Sequence, residues 1–142
     1  MRKLLVPVDG SGAALRALHA AIALAKLVPD ASIHLVHAHE PPRLYGELQV
    51  YVPPEKMRAL QREHGEAFLD RAEAELKGTG VRHTREVLEG PIGRALAEHA
   101  ERLGCDAIVM GRHGESALTD LLMGSVAQKV LHASRLPVLL VR

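Results

Sequence analysis

A chain of 142 residues with 47% apolar and 25% charged residues is long enough to bury a core and lies outside the regime of disordered chains. Its formal net charge of +1 gives no basic field of the kind that draws a protein onto nucleic acid or anionic lipid, so neither partner is expected. The longest apolar stretches are strand-sized and Met1-Arg2-Lys3 leads straight into one of them. A single cytoplasmic domain over residues 1–142, without signal peptide or membrane span, is therefore expected.

Lys3 to Val8 reads as a short apolar strand, after which Ala14, Leu15, Leu18, Ala21, Ile22 and Ala25 recur at helical spacing. Ser32 to Ala38 reads as a second strand. A second helix runs from about Pro54 to Lys77, directing Met57, Leu60, Phe68, Ala72 and Leu76 at the core and ending at Gly78 and Gly80. Val81 to Leu88 is the third strand. Gly90-Pro91 starts a third helix with Ile92, Leu96, His99, Ala100 and Leu103 on one face and Gly104 at its C-terminal cap. Cys105 is a lone cysteine before an apolar strand, the place of a small buried hydrophobe. Ala107 to Met110 is the fourth strand. Val126, Ala127, Val130 and Leu131 mark a fourth helix, and Pro137 to Val141 a fifth strand.

The alternation βαβαβαβαβ predicts an α/β fold: a single open five-stranded parallel sheet with helices on both faces, Rossmann-like, because right-handed crossovers leave each helix on a face. The common strand order for such a sheet is 3-2-1-4-5, numbered along the chain, with the fifth strand at an edge. Its unpaired backbone groups predict a homodimer formed by antiparallel pairing of two such edges. One connection is out of scale: His39 to Pro53 carries Pro41, Pro42, Gly46 and Pro53 around Leu44, Tyr45, Val50 and Tyr51. It reads either as a lid that orders over a ligand or as a surface excursion covering a sheet edge.

Ligands of open parallel sheets bind beyond the carboxyl ends of the strands where the strand order reverses, here between strands one and four. Topology thus nominates Pro7 to Ser11 and the segment from Gly111 onward. The second presents Gly111, Gly114, Gly124 and Ser125. Glycines there permit positive φ and let backbone N–H groups approach an anion, and Ser125 opens a helix whose unpaired N–H groups attract phosphate. A Cβ at Gly124 is expected to intrude on the phosphates or to force an unfavourable φ. Asp9 would repel phosphate and suits a ribose hydroxyl or a metal ion, or else it is a turn or N-cap aspartate before the first helix.

Gly111-Arg112-His113-Gly114, nine further residues and Gly124-Ser125 form the pattern G-x-x-G-x9-G-[ST]. The chain resembles the ATP-binding universal stress proteins in this motif. The likeness extends to Leu5-Val6-Pro7-Val8-Asp9-Gly10-Ser11, Leu35-Val36-His37-Ala38 and Leu136-Pro137-Val138-Leu139-Leu140-Val141; His39 to Pro53 matches poorly. The resemblance implies the fold of the adenine nucleotide α-hydrolases and a nucleotide-dependent switch or binding module of the stress response. It implies ATP as ligand, with a divalent ion such as Mg2+ or Mn2+ beside the phosphates. It places Asp9 at the ribose, Pro7 and Val8 beside adenine, the Ala38 backbone against the base and Met110 in the base pocket. Gly111, Arg112, His113, Gly114, Gly124, Ser125 and Val126 would surround the phosphates.

Other classes fit less well. A nicotinamide-dinucleotide domain would use Gly10-Ser11-Gly12 and Glu40, yet Leu15 stands where its third glycine belongs. A receiver domain needs an aspartate where Leu88, Glu89 and Gly90 stand, and a P-loop needs a lysine that is absent. Slow ATP hydrolysis is the remaining enzymatic alternative, for which Arg112, His113, Glu115, Ser116, Thr119 and Asp120 are the loop groups at hand. The other eight histidines show no metal-ligand spacing, and His37 and His39 are expected on opposite faces of the second strand. No metal ligand is assigned.

Overall fold

The structure, a computed structural model, describes residues 1–42, 52–113 and 123–142. The elements follow the expected alternation: β1 (Lys3–Pro7), α1 (Gly12–Lys26), β2 (Ser32–His39), α2 (Pro54–Leu76), β3 (Arg82–Glu89), α3 (Ile92–Arg102), β4 (Ala107–Gly111), α4 (Ser125–Ala133) and β5 (Val138–Val141). The five strands form one sheet in the order β3-β2-β1-β4-β5, and every pairing is parallel. Leu4 of β1 stands beside Ile33 on one side and Ala107 on the other. The expected order 3-2-1-4-5 is therefore the observed one.

The pleat sends alternate residues of the central strands to opposite faces, so both faces carry a core. Leu4, Val6, Ile33, Leu35 and Val109 pack against Leu18 and Ile22 of α1 and Leu69 and Ala72 of α2. Leu5, Val36, Ile108 and Met110 pack against Leu96 and Ala100 of α3 and Ala127 and Val130 of α4. Each fully buried Leu, Ile or Val contributes about 1.5–3 kcal/mol relative to an exposed one. The edge strand β3 is mostly half-buried to exposed and carries Arg82, Arg85, Glu86 and Glu89, charges that oppose further strand addition.

Local signals set the helix ends. Ser11 caps α1, its hydroxyl accepting from the Ala14 N–H at 3.1 Å. At the end of α3, Gly104 takes φ +70° just after the cap residue Leu103, and two bonds close the turn: Gly104 N–H to Glu101 C=O and Cys105 N–H to Ala100 C=O. Cys105 is buried as expected, and burial pushes its thiol pKa up, which disfavours the nucleophilic thiolate.

One expected core leucine, Leu60, is 42% exposed, and Leu15 and Leu131, which marked helices by their spacing, are 40% and 41% exposed. In α2 the buried stripe is Gly65, Leu69, Ala72 and Leu76. Leu60 precedes Gly65 by five residues and so lies roughly 140° around the helix from it. Leu69, fully buried, occupies the core instead. Leu131 directly follows the buried Val130 and turns roughly 100° away from the sheet. Among the described residues, no helix is long and apolar enough to cross a membrane.

Candidate functional site

At the carboxyl ends of β1 and β4, where the strand order reverses, lies a cavity of about 440 Å3, within the usual range for small-molecule sites. Pro7, Val8 and Asp9 line it from the end of β1, and Met110 and Gly111 from the end of β4. Val36 to Glu40 enter from β2 and the residues after it, while Ile92 and Leu96 come from α3. Gly124, Ser125, Val126 and Ala127 form the wall at the start of α4. The two segments nominated by topology thus converge on one space.

The apolar lining is Val8, Val36, Ala38, Ile92, Leu96 and Met110, and the polar lining is Asp9, His37, His39, Glu40, His113 and Ser125. Gly124 is the N-cap of α4 and supplies no side chain to it. The first-turn N–H groups of α4 therefore have no side-chain cap, and with the positive end of the helix dipole they favour an anion. The Nε2 of His113 is buried and finds no hydrogen-bond partner among the described residues. A buried polar nitrogen of this kind is costly unless a partner arrives.

Asp9 does two things. Its Oδ1 accepts the Ser11 N–H at 2.9 Å, an Asx turn leading into α1, and the residue also lines the cavity. The cap itself is Ser11, which the sequence reading had not singled out.

The ends of the glycine motif meet in the backbone. Arg112 N–H donates to Val141 C=O and the Gly124 N–H to Arg112 C=O, both at 2.8 Å. Arg112 does not line the cavity; its backbone closes the base of the loop and ties it to β5. Gly114 and residues 115–122 lie outside the described residues, as do residues 43–51 of the expected lid.

Two backbone expectations need correction. Gly124 has φ −62° and ψ 152°, an ordinary extended conformation, so no unfavourable φ is at stake there. Gly111 has a packing reason to be glycine, since a Cβ would stand 2.8 Å from Ala13 Cβ and 2.9 Å from its carbonyl carbon.

Sequence reasoning placed Ala38 of β2 at the site but missed His37 and His39 of the same strand and Phe68 of α2. His37 and His39 were expected to point apart, but residues two apart on a strand share a face, and their rings lie 6.2 Å apart. The His37 Nδ1–H donates to Val8 C=O at 2.7 Å, fixing the ring beside the end of β1. Phe68 of α2 also reaches the cavity, its ring 5.3 Å from that of His37. Gly65 makes room for this, because a Cβ there would stand 2.7 Å from the His37 ring. A glycine in the middle of a long helix was the available signal.

The whole chain, residues 1–142, matches the model of the Universal stress protein family. The chain belongs to this family. A universal stress protein of Methanocaldococcus jannaschii, MJ0531, is 33% identical over 141 residues, covering 99% of this chain and 82% of that one. Among solved structures, the protein MJ0577 superposes with a TM-score of 0.83 at 27% identity, covering 99% of this chain and 94% of its own. A universal stress protein solved in complex with cAMP gives a TM-score of 0.64 at 27% identity, covering 99% and 97% of the two chains. The five-stranded sheet is thus that of the universal stress proteins, and its cavity opens at the carboxyl ends of its central strands.

Proposed function

We propose that this cavity binds ATP and that the protein works in the cytoplasm as a nucleotide-dependent switch or binding module of the stress response. The observation that carries the reading is one cavity that combines an apolar lining with the uncapped start of α4, which favours an anion. Adenine fits between Val8, Val36, Ala38 and Met110. Asp9 accepts a ribose hydroxyl, and the phosphates lie against the first turn of α4 within reach of Ser125 and His113. The cAMP complex of a 27% identical family member supports an adenine nucleotide as the ligand class.

A divalent ion fits the donor chemistry. Asp9 and Ser125 both line the cavity and offer the hard oxygen ligands that Mg2+ or Mn2+ take together with phosphate. Such an ion would neutralise phosphate charge. A homodimer through β5 belongs to the same proposal. Its support is that β5 ends the sheet with Leu139 44% exposed.

Titration calorimetry of nucleotide-free protein with ATP, ADP, AMP and NAD tests the assignment, together with mass spectrometry of any nucleotide released on denaturing the purified protein. Binding that strengthens with each added phosphate supports the placement at α4. Binding of none of the adenine nucleotides overturns it.

A further inference from the structure

Away from the nucleotide cavity, His34 of β2, Glu86 of β3 and His99 of α3 direct three metal-ligating atoms at one point. Their place in the fold is the α3 face of the sheet, four residues before Ala38 along β2. That separation is about 13 Å at the rise of a strand. His34 Nε2 and His99 Nε2 are 3.3 Å apart. Glu86 Oε2 is 2.8 Å from His99 Nε2 and 3.6 Å from His34 Nε2. Both histidines are buried, at 4% and 7% exposure, while the Glu86 side chain is 44% exposed.

We propose that His34, Glu86 and His99 form a three-ligand site for a divalent transition ion of the Zn2+ class, with water in the fourth position. Tetrahedral Zn2+ holds nitrogen and oxygen ligands at about 2.0–2.2 Å, which puts neighbouring ligand atoms about 3.3 Å apart. The observed triangle of 2.8, 3.3 and 3.6 Å brackets that spacing without any chain movement. Two imidazoles and one carboxylate are also a donor set that suits zinc better than magnesium or calcium.

Supporting contacts orient the ligands. His34 Nδ1 is hydrogen-bonded to Thr84 Oγ1, and when that nitrogen donates, the lone pair of Nε2 faces the cluster. Arg102 Nη2 lies 3.3 Å from His99 Nδ1, and its exposed side chain must swing aside when that nitrogen carries the proton. Glu86, the partly exposed ligand, gives the ion its path from solvent.

Spacing along the chain hid this site, because its members come from three elements that only the β2–β3 pairing and the seat of α3 bring together. His34 stands beside Thr84 in that pairing, two residues before Glu86.

The test uses the full chain, freed of metal and nucleotide. Zn2+ is titrated in competition with a chromophoric chelator, and histidine ring resonances are followed by NMR. One equivalent of Zn2+ per chain is expected to shift the rings of His34 and His99 and leave those of His19 and His132 in place. Glu86→Gln and His99→Gln should each weaken Zn2+ binding at least about tenfold, since even outer-shell changes cost 10–100-fold. The ring shifts are read on the unaltered protein and do not depend on the variants folding. Unshifted His34 and His99 rings at one equivalent of Zn2+, or undiminished affinity in both variants, would overturn the site.

Discussion

Gly124 gives its N–H to the carbonyl of Arg112 at 2.8 Å, so the two ends of the glycine motif are joined before any ligand arrives. The backbone of Gly124 is ordinary, with φ −62°. Its glycine identity therefore matters for the space in front of α4 and not for conformational freedom. Gly124→Val should cost about 1 kcal/mol of stability, the scale of exchanging a tolerated N-cap residue for a disfavoured one. It should reduce ATP affinity far more, because the branched side chain stands where the phosphates are placed. Urea unfolding and calorimetry on the same sample read the two effects separately. A variant that binds ATP like the parent would move the phosphate site elsewhere.

Gly111 carries the opposite expectation. A Cβ there meets the backbone of Ala13, in the first turn of α1, at 2.9 to 3.0 Å, and backbone cannot rotate away. Gly111→Ala should destabilise the fold by about 1–3 kcal/mol, the usual cost of overpacking. The urea midpoint should fall with the slope unchanged. An unaltered midpoint would mean that α1 and β4 can separate freely.

The sheet was legible because its signals are local. Leu4 to Val8 and Ala107 to Met110 are unbroken apolar runs, and Gly104 marks a helix end by its lack of a Cβ. The end of the sheet that carries the cavity followed from topology, which is why Asp9, Gly111 and Ser125 were found together, whereas Met110 came from the family resemblance. Phe68 and His37 were not found as cavity residues, since α2 and β2 meet there only through the missing side chain of Gly65, a feature of packing that has no period. The His34, Glu86 and His99 cluster was invisible for a related reason. Ligand spacing is diagnostic when one helix or loop supplies the ligands and silent when three elements do.

Stability should fall in acid partly through one clamp. Arg85 of β3 pairs with Glu66, Asp70 and Glu73, one face of α2, and His83 Nε2 lies 2.7 Å from Glu73. Hydrogen bonds from Arg85 and then His83 hold the Glu73 carboxyl below its ordinary value of 4.5. A depressed carboxyl pKa means that the unfolded chain takes up the proton first. The contribution is therefore full above about pH 4.5 and is lost as pH falls through that value and below. Replacing Arg85 by Met should flatten the stability profile in that window. Parallel profiles for parent and variant would show that the clamp does not couple α2 to β3.

The exposed edge at β5 predicts association. Among the described residues only β4 pairs with β5, and Leu139 is 44% exposed on it. Sedimentation at micromolar concentration should give the mass of two chains, and Leu139→Arg should shift it toward one. A parent that sediments as a monomer rejects pairing through this edge.

Asp9 and Ser125 face the same cavity from opposite sides of the strand reversal, and their loss should separate ribose from phosphate recognition. Ser125→Ala removes one hydroxyl near the first turn of α4, where three or more N–H groups still point at the anion. ATP binding should weaken by about one hydrogen bond to a charged acceptor, 1.5–3 kcal/mol at most, and adenosine binding should not change. Asp9→Ala should weaken ATP, ADP and adenosine by similar factors, because the ribose is common to all three. That variant also loses the turn in which Asp9 Oδ1 accepts the Ser11 N–H, so part of its effect can come through α1. Asp9→Asn keeps an acceptor for the turn while removing the charge, and separates the two causes. Calorimetry with the three ligands decides among them. An Asp9→Ala variant that loses ATP but keeps adenosine would place the carboxylate at the phosphates, through a metal ion, and remove it from the ribose.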